Sequence, residues 1–259
     1  MAIRNSLERV IALLDLFSEQ RLEWSPDEMM DALGYSRPTL YRYLKTLKEA
    51  GFLTSMPSGG FTLGPRVVEM DFLMRSSDRL VVHAQPHLEK IAAAYPGTAL
   101  VVRWYGHKLL CVASECSSPD LKTSYPRGRP MPLARGAISR AIIAFLPRRK
   151  LLPIVTANLE GLREAGLGED LDAVLDVFRQ VRRTGYAIAH GEVTPGIVGI
   201  AAPLFDGGSG PIAALCLSMP ADEAARFDTV EIGESLSRSA AEISGYLTRD
   251  RIAGSADAD

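Results

Sequence analysis

Apolar residues at Leu7, Val10, Ile11, Leu14 and Phe17 recur at helical spacing, with Glu8, Arg9 and Asp15 turned outward, and predict an amphipathic helix over 6–17. Ser25-Pro26-Asp27-Glu28 then offers a capping serine, a proline at the first helical position and a glutamate at the third, which starts a short helix ending near Leu33. Gly34-Tyr35 allows a tight turn, and Ser36 is placed to cap a third helix over 37–50, closed by Gly51. On that helix Leu40, Tyr43, Leu44 and Leu47 share one face, and Thr39, Tyr41, Arg42, Lys45 and Thr46 share the other. Phe52-Leu53 and Phe61-Thr62-Leu63 flank the turn Pro57-Ser58-Gly59-Gly60 and read as a hairpin. Helix, turn, helix and hairpin in this order predict a winged helix-turn-helix over 1–64.

The pattern changes further along. Residues 79–94 carry Leu80, Val81, Ala84, Leu88 and Ile91 at helical spacing, with Pro86 expected to disturb the backbone. Apolar, β-branched and aromatic runs at 98–104, 108–113, 186–189, 197–205 and 212–219 predict strands, and Leu121 to Tyr125 suggests another. Helices are expected at 136–145, 171–183 and 228–246. Strands mixed with flanking helices indicate an α+β domain over 79–252. The end, 253–259, is expected to be a disordered tail.

Length and charge sharpen this picture. A chain of 259 residues fits two compact domains, and 47% hydrophobic with 23% charged residues is a globular balance. No apolar run approaches membrane-spanning length, so a cytoplasmic location is expected. Net charge is −2, and residues 1–80 hold 10 Lys and Arg against 11 Asp and Glu, so any nucleic-acid contact must be local. The exposed face of the third helix suits that role. Ser36, Thr39 and Thr46 carry short hydroxyls, Tyr41 an aromatic donor, and Arg37, Arg42 and Lys45 can donate to guanine edges or phosphates, Arg42 being the best single candidate for base readout. The alternatives are a winged helix used for protein contact and a merely solvated helix face.

Enzyme chemistry finds little support. Cys111, Cys116 and Cys216 form no zinc or redox pattern, and Cys216 within an apolar run reads as a small hydrophobe. His83 and His87 are one turn apart but lack a third ligand, so they read as a surface pair. There is no phosphate-binding glycine fingerprint and no nucleophile elbow. No cofactor, metal or catalytic residue is therefore expected.

Ser6-Leu7-Glu8-Arg9, Ser36-Arg37-Pro38-Thr39-Leu40-Tyr41-Arg42, Gly51-Phe52-Leu53, Phe61-Thr62-Leu63-Gly64-Pro65-Arg66, Gly128-Arg129-Pro130-Met131-Pro132-Leu133 and 195–206 together resemble the IclR family of transcriptional regulators. The resemblance implies a winged helix, a linker helix over 65–78 and a GAF-like effector domain; on that linker Val67, Val68, Met70, Phe72 and Leu73 would form an apolar surface, covered either by a second subunit or by the chain's own core. It also implies homodimers or tetramers on palindromic operator DNA and a small-molecule effector. Carried over by position, the effector pocket falls on Met131, Arg135, Gly136, Ala137, Ala189, Ile197, Gly199, Cys216 and Ser218, with His190 close by. Members that take small oxo-acids tend to have an acid at the place of Ala189, a cysteine at Gly199 and a serine at Cys216. The pocket is accordingly expected to be roomier and more apolar, and to accept an aromatic or apolar carboxylic acid. Arg135 either anchors that acid or pairs with an acidic side chain such as Glu192. A ligand-blind architectural DNA-binding protein, or an enzyme with a winged-helix dimerisation module, stays open as an alternative.

Overall fold

A computed structural model describes residues 5–118 and 125–256. The suggested strand at Leu121 to Tyr125 lies almost wholly outside the described residues. Internal contacts divide the chain into two units, Met1–Asp78 and Arg79–Asp259.

In the first unit α1 (Ser6–Leu14) is capped by Asn5. Its side chain accepts from Glu8 N at 2.9 Å while the Glu8 carboxylate accepts from Asn5 N at 3.1 Å. The helix stops three residues earlier than the periodicity suggested. Leu16 O accepts from the Trp24 indole at 3.0 Å, which draws Phe17 and its neighbours into a turn instead. α2 (Pro26–Leu33) has the expected Ser25–Glu28 capping box, and Gly34 turns the chain into α3 (Arg37–Glu49). Ser36 does not cap α3 through its side chain; the hydroxyl donates to Thr39 Oγ1 at 3.0 Å. The wing is β1 (Leu53–Ser55) paired antiparallel with β2 (Phe61–Leu63), and Trp24 bridges to Phe61 alongside them. Leu13, Met29, Leu40, Leu44 and Leu53, each at most 2% exposed, make the core that fixes α3 by its apolar face. α4 (Pro65–Ser77) follows, with no buried residue; Val68, Phe72 and Leu73 are all more than half exposed.

The second unit is built on one six-stranded sheet of order β5-β4-β3-β8-β7-β6, antiparallel throughout. Its strands are β3 (Thr98–Trp104), β4 (Leu109–Cys116), β5 (Pro130–Met131), β6 (Ala187–His190), β7 (Ile197–Leu204) and β8 (Ala213–Pro220). Pleating sends alternate residues to opposite faces. Ala99, Val101, Ile200, Leu215 and Leu217 pack under α5 (Arg79–Ala94), α10 (Ala221–Ala224) and α11 (Thr229–Ala256). Leu100, Val102, Ala189, Ala201 and Cys216 face α6 (Ala137–Ile143), α7 (Arg148–Ala157), α8 (Leu159–Glu164) and α9 (Leu171–Thr184). Both faces are thus dry, which is why these strands read as apolar runs rather than alternating ones.

α5 runs over Arg79–Ala94 as expected, with Pro86 inside it; one missing amide donor is tolerated when Leu80, Ala84, Leu88 and Ile91 are all buried against the sheet. Two other expectations differ from the structure. α11 runs past Tyr246 to Ala256, so 253–256 is helix rather than disordered tail; residues 257–259 lie outside the described set. Buried Leu247 and the Arg251–Asp206 ion pair hold this last stretch. His83 and His87 are not a surface pair but turn towards α11. His83 Nε2 donates to Asp250 Oδ2 at 2.8 Å and its ring stacks on Tyr246, and His87 lies 3.9 Å from Glu242. The His83 hydrogen bond, helped by Arg79, holds the Asp250 carboxyl below its ordinary range.

Candidate functional site

The outward face of α3 is the first candidate. With Leu40, Tyr43, Leu44 and Leu47 buried, the helix period leaves Arg37, Tyr41, Arg42, Lys45 and Thr46 exposed beside Ser36, and Thr39 half-buried. Tyr41, at 45% exposure, is a large aromatic standing in solvent. Arg37 lies over its ring at 5.6 Å, Arg42 lies over Tyr43 at 5.2 Å, and Lys45 makes a loose 3.8 Å contact with Glu49. These weak, exposed contacts leave the guanidinium and ammonium groups available to a polyanion. The Thr46 hydroxyl is turned back onto Arg42 O at 3.1 Å, so it contributes its methyl more readily than its donor. All seven nominated residues therefore lie on or beside one helix face.

The second candidate is a cavity of about 110 Å³ between α6 and the sheet face opposite α5 and α11. One ordered water needs roughly 10–15 Å³ by a comparable measure, so the space suits an organic molecule. Its floor follows from strand register. Thr98 pairs with Ser218 and Leu100 with Cys216 across β3 and β8, Gly199 pairs with Ser218 across β8 and β7, and Ala189 pairs with Gly199 on β6. Small side chains on adjacent strands leave a hollow that larger ones would fill. The walls are Met131 at the end of β5, Gly136 at the start of α6, and the 191–196 loop carrying Glu192, Val193 and Thr194.

Gly136 is required where it stands. Its φ is +89°, a conformation that side-chain-bearing residues rarely adopt, and an added Cβ would come within 2.7 Å of Val193 Cγ2, so any other residue would strain the backbone and displace the Val193 side chain.

Nine of the ten nominated pocket residues line this cavity: Met131, Arg135, Gly136, Ala137, Ala189, Ile197, Gly199, Cys216 and Ser218. His190 does not; it ends β6 and is exposed. Arg135 reaches the lining, but its guanidinium pairs with Glu164 and its side chain is 44% exposed. Glu192 pairs with Arg140 rather than Arg135. Thr98, Leu100, Ser139, Glu192, Val193 and Thr194 also line the cavity and were not nominated. Thr98 could have been found from Ser218 once the antiparallel β3–β8 register was known, but register is not written in a single apolar run.

Burial pushes the Cys216 thiol up to about 12 and the Cys111 thiol to about 11, so both are neutral at physiological pH and neither is a nucleophile. Cys116 is only partly buried. Ellman's reagent is expected to titrate one thiol rapidly in the native protein and three after denaturation; fast reaction of two or more native thiols would contradict this packing. Among the described residues no cluster of three or more metal-type side chains occurs, and no helix is long and apolar enough to cross a membrane.

Comparison with known proteins places these sites in context. Residues 6–57 match the IclR helix-turn-helix domain, and residues 74–245 match the bacterial transcriptional regulator IclR C-terminal domain. The HTH-type transcriptional regulator XynR of Escherichia coli (strain K12) is 29% identical over 224 residues, covering 84% of this chain and 87% of its own length. The IclR transcriptional regulator of Alicyclobacillus acidocaldarius shares the fold, with a TM-score of 0.73 at 23% identity over 95% of this chain and 100% of that one. An IclR homologue from Microbacterium hydrocarbonoxydans, solved with 4-hydroxybenzoate, gives a TM-score of 0.72 at 20% identity over 94% and 99% of the two chains. With two domain matches in the expected order, one of them spanning most of the chain, this protein belongs to the IclR family of transcriptional regulators.

Proposed function

We propose that the chain binds operator DNA through the exposed face of α3 and that an aromatic or otherwise apolar carboxylic acid, bound in the effector cavity, modulates that binding. The observation that carries the reading is the cavity itself: an organic-sized, mostly apolar hollow with a few convergent polar groups, Thr98, Ser218 and Glu192. The 4-hydroxybenzoate complex of the Microbacterium hydrocarbonoxydans protein supports the ligand class. Ser36, Arg37, Thr39, Tyr41, Arg42, Lys45 and Thr46 form the DNA-reading set, and the nine lining residues above form the effector set.

The exposed apolar side chains of α4, Phe72 at 67% among them, support its burial against a second subunit. A dimer matches the two-fold symmetry of a palindromic operator, with recognition helices spaced about 34 Å or a multiple apart. The effector acts by population shift, favouring one arrangement of the assembled subunits and so changing the fit of two recognition helices to two half-sites.

The test is a mobility shift on DNA upstream of the chain's own gene at stated salt, with melting temperatures measured against a panel of aromatic acids. Gly199→Val is the control. A Cβ at Gly199 meets only Ala137 Cβ, at an ordinary 3.7 Å, so the strand tolerates the change while the side chain fills the hollow. The variant is expected to keep its DNA affinity and melting temperature and to bind the active acid at least about tenfold more weakly. A variant that binds the acid as tightly as the parent would remove the cavity from the reading. A folded protein that shifts no DNA, even in a genome-wide selection, would remove the operator.

A further inference from the structure

The cavity wall holds a buried ion pair of defined geometry. Glu192 presents both carboxylate oxygens to donors from the other side of the cavity mouth: Oε2 accepts from Gly136 N at 3.0 Å, and Oε1 pairs with Arg140 Nη2. Arg140 is fixed in turn, because its Nη1 donates to Ile188 O on β6 at 2.9 Å. Both side chains are only 13% exposed. Arg140 Nε is buried with no hydrogen-bond partner among the described residues, so the guanidinium is held on one edge and under-satisfied on another. Glu192 lines the cavity and Arg140 does not; the Arg140 guanidinium meets the wall at the Glu192 carboxylate. The loop that carries Glu192 begins and ends at left-handed glycines, Gly191 at φ +65° and Gly196 at φ +75°. Gly191 N donating to Ile197 O at 2.8 Å closes its base. Ala221 N donates to Gly196 O at 2.8 Å and Ile197 N to Thr194 O at 3.1 Å, so the far hinge is held and movement of the Glu192 end turns mainly on Gly191.

We propose that the Arg140 guanidinium and the Gly136 amide form a carboxylate seat in which Glu192 is the built-in occupant, and that an external carboxylate can take the seat and release the 191–196 loop. A carboxylate ligand placed beside Glu192 would add an uncompensated buried negative charge, which low-dielectric surroundings resist. Exchange leaves one anion on one cation. The freed Glu192 reaches water through the hinged loop, so only the incoming acid must lose its hydration. A primary amide of the same shape brings no charge and cannot make this exchange, which gives the site a basis for choosing acids. Arg135, exposed and paired with Glu164, offers no comparable seat. That an effector is what performs the exchange rests on the function proposed above; the seat itself does not.

The probe is sodium formate, the smallest carboxylate, against Glu192→Ala, which empties the seat while leaving its donors. Melting of the purified full chain is followed in formate and in sodium chloride of matched ionic strength. Formate at about tenfold its dissociation constant is expected to raise the melting temperature of Glu192→Ala by roughly 3–5 °C over chloride. The parent and the Arg140→Met, Glu192→Ala double variant are expected to stay within about 1 °C of their chloride values. Equal shifts in all three proteins, or no shift in any, would overturn the seat. Should Glu192→Ala fail to fold, Glu192→Gln keeps the shape but cannot accept from both donors. It must then respond to formate more than the parent does, and an unchanged response overturns the proposal. Formate rescue in a chain whose operator complex ignores every acid leaves the seat and removes the effector reading. An acid-responsive operator complex without rescue does the reverse.

Discussion

Phe178→Ala is expected to lower the stability of the second unit by about 3–5 kcal/mol, the usual cost of deleting a fully buried phenyl ring. Phe178 is 0% exposed, midway along α9, and belongs to the cluster that joins α9 to α6 and to the sheet face beneath the cavity. Nothing polar replaces the lost contacts, and the helices on this side meet the sheet through small residues such as Ala137, Ala141 and Ala201, which cannot grow into the void. For a unit of this size the loss corresponds to a fall of roughly 6–20 °C in its melting temperature. The winged-helix unit has its own core of Leu13, Met29, Leu40 and Leu44. Scanning calorimetry should therefore show the transition of the second unit moving and that of the first staying. A fall below about 2 °C would mean that α9 does not anchor this layer.

How much of this was legible in the chain depends on the distance over which each signal acts. The capping box at Ser25 and Glu28 and the buried stripe Leu40, Tyr43, Leu44 and Leu47 are decided within one or two helical turns, and both appear as read. β3 spans 98–104 as expected. β4 continues to Cys116, beyond the apolar run, because the backbones of Ser114, Glu115 and Cys116 pair with Leu100, Ala99 and Thr98; a ladder holds polar residues in place once its partner is present. α7 and α8 were not read at all. Pro153 and Gly161 interrupt their propensity, and Arg148-Arg149-Lys150 hides the amphipathic start, so only burial of Leu151, Val155 and Leu162 against the sheet layer makes these segments helical.

The pocket joins residues far apart in the chain. Position within a family pattern carried Gly136, Gly199 and Ser218 to the cavity, since each is tied to its neighbours along the chain. It brought Arg135 to the lining as well, and left Arg140 unnamed. Arg135 and Arg140 lie five residues apart and look alike in sequence, and only the packing of α6 on β6 decides that Arg140 points inward to Ile188 O and Glu192 while Arg135 turns out to Glu164. An ion pair between residues 140 and 192 exists only after α6 has packed on β6 and the loop that follows it, so no local pattern could have announced it.

Arg42→Ala is expected to weaken operator binding by about 1–3 kcal/mol per recognition helix, the range for a lost bidentate contact to guanine, and so by roughly 2–6 kcal/mol for a dimer reading two half-sites. At its lower end that is at least about a thirtyfold rise in Kd. The residue is exposed and lies mid-helix on the face opposite Leu40, Leu44 and Leu47, and its guanidinium meets the core only over the Tyr43 ring at 5.2 Å, so the expected stability loss is small beside the binding loss. Circular dichroism and the melting of the first unit should match the parent. Lys45→Ala separates reading from attraction: as a phosphate contact it should weaken binding evenly across sequences and reduce the slope of log K against log salt by about 1 per copy. Arg42→Ala should instead relax the preference for operator over competitor DNA. If both variants lose affinity and salt slope equally with no change in preference, α3 meets only the backbone, and sequence is read by another element. If neither loses affinity, this face of α3 is a solvated surface and the DNA-reading set falls with it.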